Sequence, residues 1–166
     1  VGNIEFLSIG STIHKEGVGA KDKLDFSSSS DGQDLFCQVD SGYKPLRFVF
    51  GNVAYSIGLA LGIMGSLKTM AKGEIKEFSN IFNTTRNLAL QRVVDDAKKV
   101  GANSVLGIET TILPFGASGL NEMLMIGTAS HNPALPPGGI VTSDLTAQEM
   151  WNLTQMGYAP IRLLLG

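Results

Sequence analysis

The chain has 166 residues, of which 43% are hydrophobic and 17% charged, and a formal net charge of -2. This balance supports a packed core, excludes a disordered chain, and gives no bulk electrostatic attraction to nucleic acid or to an anionic membrane. The single cysteine excludes an intramolecular disulfide framework and any cysteine-rich zinc module. No signal-peptide pattern is visible, so we expect a cytoplasmic location.

The first predicted elements are a short helix and a strand. Ser30-Asp31 caps a helix over Gly32–Ser41, which ends at Gly42. Lys44–Phe50 is then predicted as a buried strand, because its residues are mostly apolar and β-prone.

The uncharged stretch from Phe48 to Leu67 has to be tested against a membrane span, which needs ~20 mostly apolar residues. Gly51-Asn52 is typical of a turn, which leaves a helix over Val53–Leu67. Such a helix reaches only about 22 Å at ~1.5 Å per residue. We therefore predict a buried or interfacial helix here and no membrane span.

A long helix is predicted to begin at Gly73-Glu74 and to end at Gly101. Acidic residues lie in its first turn and lysines in its last turn, where each complements the helix dipole. Its apolar residues recur at helical spacings and therefore share one face. They are Ile75, Phe78, Phe82, Ala89, Val93, Ala97 and Val100.

Two strands, Ser104–Leu113 and Leu120–Ser130, are predicted to form a hairpin. Both faces of the second strand are apolar, so both must be covered. One helix covers only one face of a three-stranded sheet, and the other face needs another subunit or another repeat. The two alternating sets are Leu124, Ile126 and Thr128, and Met123, Met125, Gly127 and Ala129.

Two short segments recur along the chain, which predicts an internal repeat. Gly42–Gly51 resembles Gly157–Gly166 at an offset of 115, and Glu5–His14 resembles Glu122–His131 at an offset of 117. In each comparison five of ten positions are identical.

This repeat divides the chain into four parts, and the Pro- and Gly-rich stretch near residue 135 serves as a linker. The parts are the tail of a preceding unit at 1–26, a complete unit at 27–133, the linker at 134–141, and the start of a following unit at 142–166.

The order of elements, the segment Gly101-Ala-Asn-Ser-Val-Leu-Gly-Ile108 and the strand ending Ile126-Gly-Thr-Ala129 resemble the YbjQ-like family, which carries a heavy-metal-binding label. The resemblance covers about residues 43 to 130 and includes Gly73-Glu74 and the long helix with its Arg86. It implies an α+β fold with a dodecin-like β-α-β-β unit, an antiparallel sheet packed on one long helix, and assembly into a ring, a pentamer. It implies no particular enzymatic activity.

Metal binding is the sharpest chemical hypothesis that this resemblance implies. Soft ions prefer thiolate, thioether and imidazole ligands, and the chain offers Cys37, His14, His131 and six methionines. The Cys and His residues lack the close spacing of a metal-binding motif. We keep His131 and Cys37 as candidate ligands of a transition or heavy-metal ion, with an exposed turn position as the alternative for His131. The repeat counterpart of Cys37 is Asn152, which argues against a ligand required in every unit.

Glu109 and Glu122 occupy mid-strand positions of the predicted hairpin, where they are placed to face one another. Paired carboxylates serve acid–base catalysis or hold a hard cation, while solvated strand residues and interface ion pairs are the alternatives. Met123 and Met125 alternate on one strand face, where methionine is more often core than ligand. We keep all four as candidate ligand or interface residues.

The sequence shows no Gly-x-Ser-x-Gly motif, no phosphate-binding loop and no dinucleotide fingerprint. The first functional hypothesis is therefore a non-enzymatic oligomeric assembly or binding module, which holds a small ligand or ion on an inner face or in a cleft between subunits. The alternative is a soft-metal-binding protein that uses Cys, His and Met ligands. An enzyme that uses Glu109 or Glu122 ranks last.

Overall fold

The computed structural model describes residues 27–56, 72–115 and 120–165. Within them the chain forms three helices and four strands, which we number in chain order. The helices are α1 (Gly32–Asp40), α2 (Lys72–Lys99) and α3 (Ala147–Gln155), and the strands are β1 (Lys44–Ser56), β2 (Ser104–Phe115), β3 (Leu120–His131) and β4 (Val141–Thr142).

The strands form one sheet in the order β1-β3-β2-β4. β3 pairs antiparallel with both β1 and β2, while β4 pairs parallel with β2, with Ser104 opposite Val141. The α+β class is confirmed and the three strands of the predicted unit are antiparallel, while the additional parallel strand β4, which was not predicted, makes the sheet mixed. The end of the predicted linker supplies the parallel strand, because the Ser143 N–H donates to Val105 O at 3.0 Å and so extends the edge of β2.

The predicted turn at Gly51-Asn52 is also wrong, because β1 continues through it to Ser56. Gly51 lies opposite Met125 in the sheet, and a Cβ added there would come within 2.2 Å of Ala89 O. The glycine therefore allows α2 to approach the sheet closely instead of making a turn. Residues 57–67 of the helix predicted after this turn lie outside the described residues.

The short helix α1 forms as predicted, and both α1 and α3 have sequence-encoded ends. The Asp31 carboxylate accepts from the Asp34 N–H at 2.8 Å and caps α1. Thr146 and Glu149 form a reciprocal capping box at the start of α3. The two helices pack on each other, and the Trp151 indole N–H donates to the Asp40 carboxylate at 2.7 Å.

The main core lies between α2 and one face of the sheet. The predicted apolar face of α2 is confirmed at Ala89, Val93 and Ala97, which are fully buried against strand residues such as Val49 and Met125. Complete burial of a side chain the size of Val or Met contributes about 1.5–3 kcal/mol, so this layer supplies much of the folding free energy.

A second, smaller core joins α3 to the far end of the sheet. It contains Tyr43, Leu106, Leu135, Val141 and Met150. Burial raises the pKa of the Tyr43 phenol above its ordinary value, and a hydrogen bond with Asn132 offsets part of that rise.

No helix in the described parts of the chain combines the length and the apolar character that crossing a bilayer requires.

Candidate functional site

The sheet face that points away from α2 is the first candidate site, and we call it the open face. Paired residues of an antiparallel sheet share a face, so the register defines its members. Phe50 lies opposite Ile126, which in turn lies opposite Glu109. The large apolar members of the open face that lie outside the second core are Phe48, Phe50, Leu113, Leu124 and Ile126. This face is therefore an apolar surface with carboxylates among its members.

Large apolar side chains of the open face remain in solvent. Phe50 is 51% exposed and Leu113 is 44% exposed. Phe48 and Phe50 stack with their ring centroids 6.2 Å apart, which presents a continuous aromatic surface along β1. The prediction that the second sheet face is apolar is thus confirmed, while the cover predicted for it stays a prediction.

Glu109 and Glu122 both lie on the open face but do not face one another, contrary to our expectation. Glu109 is opposite Ile126, whereas Glu122 is opposite Leu113. Four residues along β2 separate the two levels, or about 13 Å at ~3.3 Å per residue. Glu122 instead accepts a hydrogen bond from the Asn52 amide at 2.8 Å. The register therefore removes the geometric basis for a carboxylate pair.

The candidate metal ligands lie in separate places. Cys37 is buried in α1, and His131 is exposed at the end of β3, opposite Lys44. Met123 and Met125 are fully buried in the core beneath α2. In residues 27–56, 72–115 and 120–165, no three His, Cys, Asp or Glu side chains come together as a metal site. The described donor set does not fit a soft-metal ion.

A cluster of hydroxyl groups at one end of the open face escaped the sequence analysis. The Thr128 hydroxyl lies 3.1 Å from that of Ser28, 3.3 Å from that of Ser29 and 3.2 Å from that of Ser30. The Gln38 amide donates to the Ser30 hydroxyl at 2.8 Å. The signal in the sequence is the run of serines before α1. These contacts fix the run of serines across the sheet. The cluster offers no catalytic group, because none of its residues is a base or a cation.

A groove on the flank of α2 is the second candidate site, which sequence reasoning also missed. We call it the helix groove; it has a volume of about 420 Å³. One wall is formed by Asn87, Leu90, Gln91, Val94, Ile140 and Thr142, and the other by residues 162–165 of the C-terminal segment. The Leu163 N–H donates to the Thr142 hydroxyl at 3.0 Å and holds that segment in place.

The described fold thus combines one long helix, a glycine that admits this helix to the sheet, and a hairpin of β2 and β3. The chain belongs to the YbjQ family: a family model described as "Putative heavy-metal-binding" matches residues 41–132, more than half of the chain. The resemblance inferred from the sequence is confirmed, and the match does not extend to the flanking segments.

Curated relatives match about half of the chain. A "UPF0145 protein" of Thermotoga petrophila is 40% identical over 87 residues, which is 51% of this chain and 78% of the relative. A protein of the same name from Thermosipho africanus is 38% identical over 84 residues, 51% of this chain and 77% of the relative. A protein of the same name from Vibrio campbellii is 38% identical over 81 residues, which is 49% of this chain and 77% of the relative.

Proposed function

We propose that the chain is a non-enzymatic assembly module whose units associate with one another through the open face. The observation that carries this proposal is the exposure of Phe50 and Leu113 on a face lined by Leu124 and Ile126. Burying apolar area contributes about 25 cal/mol per Å², so covering this face favours association. Contiguous apolar patches of this kind mark interaction sites.

The partner in this proposal is a second copy of the unit, arranged head to tail. Such contacts use two different surfaces and close into a ring when the rotation between copies permits. A pentamer is the ring size that the family resemblance implies. A small ligand or ion held between the copies completes the proposal, and its identity is left open.

We also propose that the unit is not an enzyme. In support, the carboxylates of Glu109 and Glu122 lie at different levels of the sheet, and His131 lies at the end of β3. General acid–base catalysis needs such groups within hydrogen-bond reach of one substrate. The positions of Glu109, Glu122 and His131 do not bring these three side chains to one substrate.

Sedimentation velocity on the chain and on Phe50→Lys tests the assembly function. A lysine on the open face places a charge where apolar contact is needed, so we expect the substitution to lower the sedimentation coefficient. Leu88→Lys is the matched control, because Leu88 is an exposed apolar residue of α2 that is 42% exposed and is not a member of the open face. Equal loss of association in both variants, or none in Phe50→Lys, contradicts the proposal.

Soft-metal binding is the alternative function, and only the family description supports it. Equilibrium dialysis with zinc, copper(I) and cadmium, on the chain and on Cys37→Ser and His131→Gln variants, tests it. Structural soft-metal sites bind far more tightly than micromolar, so the absence of micromolar binding removes this function. Tight binding that either substitution abolishes would establish it.

A further inference from the structure

The chain after α3 follows the same path as the chain after α1. The Tyr43 N–H donates to Gln38 O at 3.0 Å, and the Tyr158 N–H donates to Leu153 O at 2.9 Å. The glycine that ends each helix turn has a positive φ, 85° at Gly42 and 84° at Gly157. The two helix ends therefore have the same geometry.

The starts of the two helices match as well. The Ser30 N–H donates to the Ser28 hydroxyl at 2.9 Å, and the Leu145 N–H donates to the Ser143 hydroxyl at 3.1 Å. Each cap then accepts from the residue three positions on, since Asp31 accepts from Asp34 N and Thr146 accepts from Glu149 N. Each of these partners lies 115 positions from its counterpart.

The decisive correspondence lies beyond the helices. The Phe48 N–H donates to the Ser27 hydroxyl at 2.9 Å, and the Leu163 N–H donates to the Thr142 hydroxyl at 3.0 Å, with 21 positions between donor and acceptor in both. Leu163 thus stands where Phe48 stands, and Leu165 corresponds to Phe50. Residues 142–165 therefore share these hydrogen bonds and the helix with residues 27–50, although residues 158–165 form no strand where residues 44–50 belong to β1.

The residues of the segment 158–165 differ in exposure from their counterparts in β1. Leu164 corresponds to Val49, yet Leu164 is 79% exposed whereas Val49 is fully buried beneath α2. In contrast, Leu163 and Leu165, the counterparts of the open-face residues Phe48 and Phe50, are half-buried and pack against this unit's core beside the helix groove. The side chains that would belong to an open face are here covered by a neighbouring unit's helix.

We propose that the flank of α2 beside the helix groove and the edge of β2 form a docking site for the leading segment of another unit, and that residues 141–165 occupy this site within the same chain. The partner is residues 27–50 of a second copy, with Ser27 in the place of Thr142, Phe36 in the place of Trp151, and Phe48 and Phe50 in the places of Leu163 and Leu165. The inference rests on the proposed assembly function and names the two surfaces that meet.

Two exposed aromatic residues support this choice of partner. Phe36 on α1 is 64% exposed, and Phe50 on β1 is 51% exposed. Their counterparts are Trp151, which contacts α1 through Asp40, and Leu165, which lies against the helix groove. Both aromatic side chains thus gain a cover when residues 27–50 dock as residues 141–165 do.

The occupant within the chain competes with a second copy. A tethered segment acts at a high effective concentration, in the millimolar range for short flexible linkers. Removing it opens the docking site, and we expect the chain that ends at Gly139 to associate at least about tenfold more tightly than the full chain. Sedimentation velocity across a concentration series measures both, and Phe36→Lys with Phe50→Lys in the shortened chain is expected to cancel the gain.

If the shortened chain fails to fold by circular dichroism, the full chain with Met150→Asp and Leu163→Asp releases the same segment from both cores. Its matched control is Ile161→Asp with Leu164→Asp, two exposed positions in the same segment, for which no gain is expected. This inference is overturned if the full and the opened chains associate equally tightly. It is also overturned if the shortened chain keeps its tighter association when Phe36→Lys and Phe50→Lys are present. Either result leaves the assembly function standing. No association of either chain contradicts the assembly function itself.

Discussion

Gly51 is the residue on which the contact between α2 and the sheet depends. A Cβ at this position would lie 2.2 Å from Ala89 O and 3.0 Å from the Arg92 Cβ. Because the first of these contacts is with backbone, a side-chain rotation cannot relieve it. The local sequence Gly-Asn suggests a turn, and only the position of a helix distant in sequence explains why a strand runs through it.

We expect Gly51→Ala to lower the free energy of unfolding by about 3 kcal/mol, at the upper end of the range for overpacking. Urea denaturation monitored by circular dichroism measures the change. Gly139→Ala is the control, because a Cβ there meets nothing within 4 Å. An unchanged midpoint for Gly51→Ala would show that the helix and sheet do not approach this closely.

Tyr43 makes stability depend on pH in the alkaline range. Its pKa is raised, chiefly by burial, so the folded state resists loss of the phenolic proton. The unfolded chain releases this proton near pH ~10, and between that pH and the higher folded pKa the unfolded state binds fewer protons. Stability contributed by neutral Tyr43 is therefore complete below about pH 10 and is lost as the pH rises through the folded pKa.

Thermal unfolding scans from neutral to alkaline pH test this dependence. We expect the chain to lose stability above about pH 10 and Tyr43→Phe to lose less, since phenylalanine has no proton to release. Tyr158→Phe provides the comparison, because Tyr158 is 61% exposed. The same alkaline loss in Tyr43→Phe as in the parent would refute the assignment.

At the scale of elements, α3 is stabilised by its capping box and by Met150 in the second core. Thr146→Ala removes the acceptor for the Glu149 N–H, and we expect it to cost about 1 kcal/mol, the usual loss for an N-cap. Gln148→Ala, at an exposed position in the same turn, serves as the control. Urea titration that finds equal stabilities for the two variants would argue against the cap.

Elements with a strong local signal were predictable from the sequence. α2 has a sustained apolar period and a left-handed glycine after it, with φ 72° at Gly101, and β2 and β3 form a hairpin of alternating residues. The two-residue strand β4 was not predictable, because its hydrogen bonds depend on the edge of β2 and not on its own sequence. The levels of Glu109 and Glu122 follow from the pairing of Phe115 with Leu120, because β2 extends two residues beyond its predicted end at Leu113.

At the scale of the whole molecule, strand alternation in the sequence predicts that both sheet faces are apolar. Because one helix covers only one face, the same pattern predicts a partner for the other face. The helix groove could not be found this way, since it brings α2 together with residues 162–165, which are far apart in sequence. The internal repeat stays a prediction; it would make Phe48 and Leu163 equivalent, and their similar hydrogen bonds to Ser27 and Thr142 are consistent with it.

We propose that this chain contains a unit that associates with copies of itself. Light scattering coupled to size-exclusion chromatography tests it most directly, because it gives the molar mass in solution without a reference shape. We predict a molar mass that rises with concentration to a multiple of the 17.6 kDa chain. A single species of monomer mass at every concentration, up to hundreds of micromolar, would contradict the claim.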